Sequence, residues 1–287
     1  MKEIVIISGK GGTGKTTITA AFASLVENKV MADCDVDAAD LHLILNPDIK
    51  HQEDFYSGKT AFIRENDCTQ CGKCVEVCQF DAISPDFVVD PVACEGCGVC
   101  VYFCPVDAID FNENLSGRWY ISNTRFGPMV HARLGIAEEN SGKLVTLVRR
   151  QAKLLAEQEN LDYIIVDGAP GIGCPVISSI TGASAVLVVT EPTLSGRHDL
   201  ERVVSLAAGH FQIPTFVCVN KYDLNEEITD QIEKLCLERN IGFVGKIPYD
   251  TIVTDAMVQA KTIIEFSDGV IAEEIKNMWA KIITSNQ

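Results

Sequence analysis

The sequence predicts an α/β fold, a parallel sheet covered by helices and interrupted by a small cysteine-rich α+β insertion. Three observations carry that expectation. Short, wholly apolar runs alternate with longer stretches of helical spacing. One glycine-rich loop separates the first run from the first helix. Eight of the twelve cysteines fall within residues 68–104.

Ile4-Val5-Ile6-Ile7 is apolar at every position, the pattern of a strand buried on both faces of a parallel sheet. The glycine-rich loop covers residues 8–15, residues 16–26 have helical composition, and Val30-Met31-Ala32 leads into the acidic turn Asp33-Cys34-Asp35. The rhythm breaks near residue 59 and resumes beyond the polar turn Asn112-Glu113-Asn114, with apolar segments from Trp119. Residues 143–158 place Leu144, Leu147, Val148, Ala152 and Leu155 at helical spacing. Ile164-Ile165-Val166, Ala185-Val186-Leu187-Val188-Val189 and Phe216-Val217-Cys218-Val219 read as further buried strands. Residues 197–209 and 226–240 read as the helices between and after them. Residues 270–283 form an amphipathic helix of mixed charge, expected to dock on the core. Right-handed crossovers put the loops after the strands on one edge, where ligands bind. The expected organisation is a discontinuous main domain, residues 1–58 and 115–287, around an inserted module, residues 59–114.

A net charge of −16 argues against nucleic acid as a general partner, because phosphate backbones are held by lysine and arginine, and against anionic lipid surfaces. No run approaches the roughly 18–20 apolar residues a membrane-spanning helix needs. Met1-Lys2-Glu3-Ile4 leads straight into an apolar strand, so no secretion signal is expected and a cytoplasmic location is. That compartment keeps thiols reduced, so twelve cysteines ask for an explanation other than disulfides.

The cysteine block is an internal repeat of period 26: Cys68, Cys71, Cys74 and Cys78 map onto Cys94, Cys97, Cys100 and Cys104, and Asp81-Ala82-Ile83 onto Asp107-Ala108-Ile109. The CxxCxxCxxxC spacing, with Pro105 after the last cysteine, resembles bacterial two-cluster ferredoxins. There, three closely spaced thiolates bind one cubane and the fourth ligates the other. By that rule Cys68, Cys71, Cys74 and Cys104 hold one 4Fe–4S cluster, and Cys94, Cys97, Cys100 and Cys78 hold the second. Gln79 stands where a proline is usual. Zinc sites normally use two separated CxxC pairs, whereas these eight cysteines form two CxxCxxCxxxC runs. Gly72, Gly96 and Gly98 would let backbone amides approach the cluster sulfurs. Residues 60–113 hold ten acidic side chains against Arg64 and Lys73, about half of the whole chain's net charge.

Gly9-Lys10-Gly11-Gly12-Thr13-Gly14-Lys15-Thr16 fits the P-loop pattern, and it follows a strand and opens a helix as that mechanism requires. Its amides cradle a β-phosphate, Lys15 neutralises β/γ oxygens, and Thr16 coordinates Mg2+. Gly11, Gly12, Thr13, Gly14, Lys15, Thr16 and Thr17 are the candidate phosphate-binding residues.

With Lys10, the loop resembles the deviant Walker motif of the MinD/ParA family, and the chain as a whole resembles MinD-superfamily ATPases with an inserted ferredoxin domain. The resemblance implies ATP as substrate and a nucleotide-dependent homodimer, or a heterodimer with a related ATPase, in which Lys10 reaches the partner's phosphates. It implies that Asp35 is the switch I carboxylate positioning the attacking water. Asp167 is then the Walker B residue holding Mg2+ through water, and residues 168–171 are switch II. Asn220 matches a base-contacting asparagine. Asn220-Lys221-Tyr222-Asp223 is also the NKxD form used for guanine, with Asp223 as acceptor, but the family favours adenine. Cys174 follows switch II, where the nitrogenase iron protein has a cluster ligand. Cys34 is the sole nearby companion, and a packed residue is the expected role, as for Cys218 and Cys236.

Three functions follow. An ATP cycle coupled to electron transfer through two 4Fe–4S clusters is the leading expectation, with a redox partner presenting a basic docking face. A ParA/MinD-type positioning or regulatory switch with redox-sensing clusters is the alternative. Cluster carriage ranks last, because the four cysteines outside the repeat form no CxxC.

Overall fold

A computed structural model describes residues 1–135 and 141–285. In chain order the elements are β1 (Lys2–Ser8), α1 (Lys15–Leu25), β2 (Lys29–Asp33), α2 (Leu41–Leu45), β3 (Asp48–Ile63), α3 (Lys73–Val77), α4 (Val99–Tyr102), β4 (Ile109–Thr124) and β5 (Gly127–Leu134). There follow α5 (Ser141–Glu159), β6 (Tyr163–Pro170), α6 (Cys174–Ile180), β7 (Ala185–Thr190), α7 (Leu194–Val204), β8 (Thr215–Asn220), α8 (Glu226–Glu238), β9 (Gly242–Ile247), α9 (Ile252–Val258), α10 (Ile263–Phe266) and α11 (Val270–Thr284). The chain divides into two compact units. The first holds Met1–Glu53, Trp119–Arg133 and the chain from Ser141. The second holds Asp54–Arg118 with a short return segment starting at Leu134.

The sheet order is β3-β4-β5-β2-β6-β1-β7-β8-β9. From β5 to β9 every neighbouring pair is parallel. This is the α/β parallel sheet the apolar runs call for. Side chains alternate along β1: Ile4 and Ile6 join the core containing Phe22, Met31 and Leu187, while Val5 and Ile7 face the opposite side, and all four are wholly buried. Burial on both faces is why the middle of the strand, Ile4 to Ile7, is apolar at every position.

Strands β3, β4, β5 and β9 go beyond the sequence reading. The polar turn expected at residues 112–114 lies inside the 16-residue β4. The stretch lies against β3, the neighbour of β4 in the sheet, and Asn114 Nδ2 donates to Thr60 Oγ1 at 2.8 Å. β5 and β9 are short and mix glycine or charge with apolar residues, so neither shows a continuous apolar run.

α11 buries Ile271, Ala272, Ile275, Met278 and Ile282, with Trp279 against Phe22 (5.2 Å between ring centroids) and Tyr163 (5.6 Å). It is docked, as its mixed charge suggested. Among the described residues no helix is long and apolar enough to cross a membrane.

In the second unit the sequence repeat reappears in the backbone. Gln70 and Gly96 (φ 54° and 60°), Gly72 and Gly98 (75° and 73°), and Asp81 and Asp107 (51° and 49°) share left-handed conformations. Gly72 and Gly98 stand immediately before the two short helices. Ala61, Ile63, Ile83 and Ile109 form this unit's core together with Cys74 and Cys100.

Met278 is fully buried, and its side chain packs 3.0 Å from where a Cβ would project at Gly245. Met278→Ala should lower the unfolding free energy by about 2–4 kcal/mol in urea titration. No change in the midpoint would mean that α11 is not part of the folded core.

Candidate functional site

The loop from Ser8 to Gly14 leaves β1 at the sheet's centre and delivers Lys15 as the first residue of α1. Gly12 and Gly14 have φ of 81° and 89°, which side chains resist. At Gly14 a Cβ would also lie 2.3 Å from Asn220 Nδ2. That close approach is used: Asn220 Nδ2 donates to the Thr13 carbonyl at 2.8 Å, and Asn220 Oδ1 accepts from the Lys221 amide at 3.0 Å.

Because β2 and β6 are neighbours in register at Asp33 and Asp167, the acidic ends of both strands converge on the loop. Lys15 is 5% exposed, and its Nζ donates to Asp167 Oδ1 at 2.9 Å and Asp35 Oδ2 at 3.1 Å. Thr19 Oγ1 lies 3.0 Å from Asp167 Oδ1, and the Asp35 amide donates to Asp33 Oδ1 at 3.2 Å. Burial disfavours the Lys15 ammonium, but the Asp167 and Asp35 carboxylates outweigh it and raise its pKa. Burial raises the pKa of Asp33, reinforced by Asp167, and burial raises that of Asp35 against the pull of Lys15.

Three polar atoms here are buried without a partner: Thr13 Oγ1, Asp33 Oδ2 and Asp167 Oδ2. Each such atom costs about 1–3 kcal/mol unless something is bound. Beside them opens a cavity of about 430 Å3 lined by Gly11, Gly12, Gly14, Lys15, Thr16 and Thr17 on the phosphate side. Its far side is formed by Asn220, Pro248, Tyr249, Asp250, Val253 and Met257. A pre-formed cavity of this size accommodates a small ligand such as a nucleotide. The Thr16 hydroxyl at the cavity and the free Asp167 oxygen behind Lys15 are hard oxygen donors of the kind Mg2+ takes.

Lys10 does not line the cavity. Its Nζ is 3.4 Å from Glu191 Oε2, at the end of β7. Asp223 also lies outside the cavity wall, exposed, with its carboxylate accepting the Tyr249 amide at 2.7 Å. Tyr249, Asp250, Met257 and Glu191 were not singled out in the sequence. The first two follow β9, and a tyrosine and an aspartate after a short strand are commonplace.

The eight repeat cysteines fall around two separate cavities of the second unit. One is lined by Cys68, Cys71, Cys74 and Cys104, the other by Cys78, Cys94, Cys97 and Cys100. Backbone amides of Gln70 and Ala108 donate to the Sγ of Cys68 (3.4 Å) and Cys104 (3.3 Å). Among the described residues no three His, Cys, Asp or Glu side chains converge as around a single metal ion. Of the other four cysteines, Cys174 is exposed and Cys34, Cys218 and Cys236 are buried. Burial pushes the Cys218 thiol up to about 12 and the Cys236 thiol up to about 11.

Residues 4–263 match the CobQ/CobB/MinD/ParA nucleotide-binding domain family. An uncharacterized protein of Methanocaldococcus jannaschii, MJ0578, is 35% identical over 288 residues, covering 98% of this chain and 96% of its own. A putative septum site-determining protein MinD of Mesostigma viride is 25% identical, over 87% of this chain and 72% of its own. Among solved structures, the cell division ATPase MinD of Pyrococcus furiosus aligns with a TM-score of 0.58 at 18% identity, covering 99% of both chains. The Pyrococcus horikoshii MinD complexed with Mg-ADP aligns with a TM-score of 0.59 at 16% identity, over 98% and 95%. At those identities the structural likeness speaks for the fold.

Lys15→Met removes the cation shared by two buried carboxylates. We expect the unliganded protein to lose about 3 kcal/mol of stability in denaturant titration. Mg-ATP should raise the melting temperature of the wild type and leave the variant unmoved. Equal stability of the two proteins would mean that the carboxylates do not depend on Lys15.

Proposed function

This chain belongs to the CobQ/CobB/MinD/ParA nucleotide-binding family, and from that premise we propose that it is an ATP-driven, dimerising switch of the ParA/MinD type whose cysteine-rich unit carries two 4Fe–4S clusters. The observation carrying the switch is Lys15 gripped by Asp35 and Asp167 beside an open cavity. Triphosphate offers Lys15 a richer set of oxygens than two carboxylates can. As Lys15 turns to the phosphates, Asp35 is freed to orient a water molecule toward the γ-phosphate, and Asp167 keeps only the Thr19 hydroxyl on Oδ1. Mg2+ would be held by Thr16 and, through water, by Asp167, and when bound it neutralises charge on the phosphates. Residues 168–171 follow Asp167 directly, so a change at that carboxylate moves the segment that senses the γ-phosphate. Lys10 completes the partner's site across a homodimer, or a heterodimer with a related ATPase. Adenine is favoured by the family resemblance and because Asp223, the guanine acceptor of an NKxD motif, lies outside the cavity lining with one oxygen accepting the Tyr249 amide.

The donor set of the second unit fits iron–sulfur clusters. In a cubane each thiolate binds a different iron, so four sulfurs surround a cavity instead of meeting at a point. Two cavities, each walled by four cysteines and set in a small apolar core, have that character, and amides reach two of the sulfurs. When bound, such clusters supply one-electron chemistry. The likeness to a putative septum site-determining protein MinD favours the switch, and on that reading the clusters would act as sensors. ATP-gated electron transfer is the second reading, supported by the pairing of two four-cysteine cavities in one core. Its acceptor would be a protein with a basic face, since Arg64 is tied to Asp67 and Asp110, Lys73 to Glu76, and among the described residues most of the unit's acids make no ion pair. Cluster carriage gains nothing: three of the four remaining cysteines are buried.

Anaerobic reconstitution should load about eight iron and eight sulfide per chain, and replacing Cys71 and Cys74 with serine should halve both. ATP with Mg2+ should convert monomer to dimer in sedimentation, and the ATPase rate should differ between oxidised and reduced protein. Zinc in place of iron, or a monomer at saturating ATP, would overturn the corresponding half of the proposal. A rate indifferent to redox state leaves the switch and removes both sensing and electron transfer.

A further inference from the structure

Lys10 is the only cation of the glycine-rich loop that points away from the cavity, and what holds it is specific. Glu191 Oε2 lies 3.4 Å from Lys10 Nζ, and Glu191 Oε1 lies 2.6 Å from Lys221 Nζ. One carboxylate, 15% exposed, is thus shared by two lysines that are 35% and 30% exposed. The turn carrying Glu191 is built to stay in place. The Thr193 amide donates to the Glu191 carbonyl at 2.8 Å, the Gly196 amide donates to Thr193 Oγ1 at 2.9 Å, and the Thr190 hydroxyl donates to the Gly196 carbonyl at 3.0 Å. A Cβ at Gly196 would lie 2.4 Å from the Glu191 carbonyl oxygen, so only glycine allows the turn to close this tightly. On the loop's side, a Cβ at Gly9 would meet Asp199 Cβ of α7 at 2.5 Å, so the backbones on either side of the ion pair are also in close contact.

We propose that Glu191 is a positioning residue that latches Lys10 within its own subunit and releases it only when a second, nucleotide-loaded copy offers phosphate oxygens. The inference rests on the reading that Lys10 acts across the dimer. Lys221 gives the latch its direction. With Glu191 anchored by a closer lysine and by its turn, the carboxylate does not travel with Lys10. Lys10 must therefore break the contact to reach a partner, and every dimer breaks two such contacts. A triphosphate competes for Lys10 far better than a diphosphate, because it brings more negative charge to the interface. The latch therefore raises the threshold for dimerisation in the state that should remain monomeric.

Glu191→Gln keeps the shape and removes the charge. Loss of a half-exposed ion pair is worth about fivefold in an equilibrium, so two per dimer tighten the dimer dissociation constant by about 25-fold at saturating non-hydrolysable ATP analogue. Nucleotide affinity measured on dilute monomer should move less than about twofold, which separates the latch from a general disturbance of the site. A second readout needs no dimer: acetic anhydride labelling of Lys10 in the monomer, followed by peptide mass spectrometry, should be several-fold faster in the variant. Weaker dimerisation of Glu191→Gln would mean that Glu191 orients Lys10 toward the partner, and would overturn the latch. Unchanged Lys10 labelling would overturn it as well. Lys10→Ala reports on the underlying reading separately. If that variant dimerises like the wild type, Lys10 has no role across the interface and the latch has nothing to withhold.

Discussion

A lysine ammonium with almost no exposed surface exists in a protein interior only where carboxylates surround it closely enough to repay its lost hydration. Lys15 meets that condition because three pieces of chain arrive together: the first turn of α1, the end of β2 with Asp35, and β6 with Asp167. Their meeting depends on the strand order, which puts β2 and β1 on either side of β6. The order of the sheet, the glycine conformations of the loop and the buried aspartates therefore form one requirement. Changing the neighbour of β6 would leave buried charge unpaired. In this structure the lysine acts as an internal counter-ion to both carboxylates.

Much of this was legible in the sequence because it is local. A strand buried on both faces is apolar along its middle, so β1, β6, β7 and β8 announce themselves as apolar runs. The loop and its helix are contiguous, so Lys10, Lys15 and Thr16 fall within one motif, while the roles expected of Asp35 and Asp167 came with the family resemblance. The cysteine spacing likewise sorts the eight thiols into sets of four before any coordinates are seen. The structure brings those same sets around separate cavities.

What escaped is what distance in the chain conceals. β4 is polar where a turn was expected, because its partners, not its own side chains, make it a strand. β5 and β9 are short and lack an apolar signature. Glu191 reads as one acid before a proline, and only the adjacency of β1 and β7 brings it to Lys10. Asp223 reads as part of a base-binding motif, and only the fold shows that one of its oxygens accepts the Tyr249 amide. Tertiary partners decide such roles, and no window of sequence contains them.

The repeat in the second unit has a topological consequence. Each half contributes three cysteines to its own cavity and its fourth to the other, Cys78 crossing one way and Cys104 the other. Neither half is self-sufficient, in the manner of two hands each holding the other's wrist. One half alone could build the same two cavities only by pairing with a second copy, so carrying both halves on one chain makes the closure intramolecular and raises its effective concentration. The cost is independence, since damage to one set of thiols opens the wall of its neighbour.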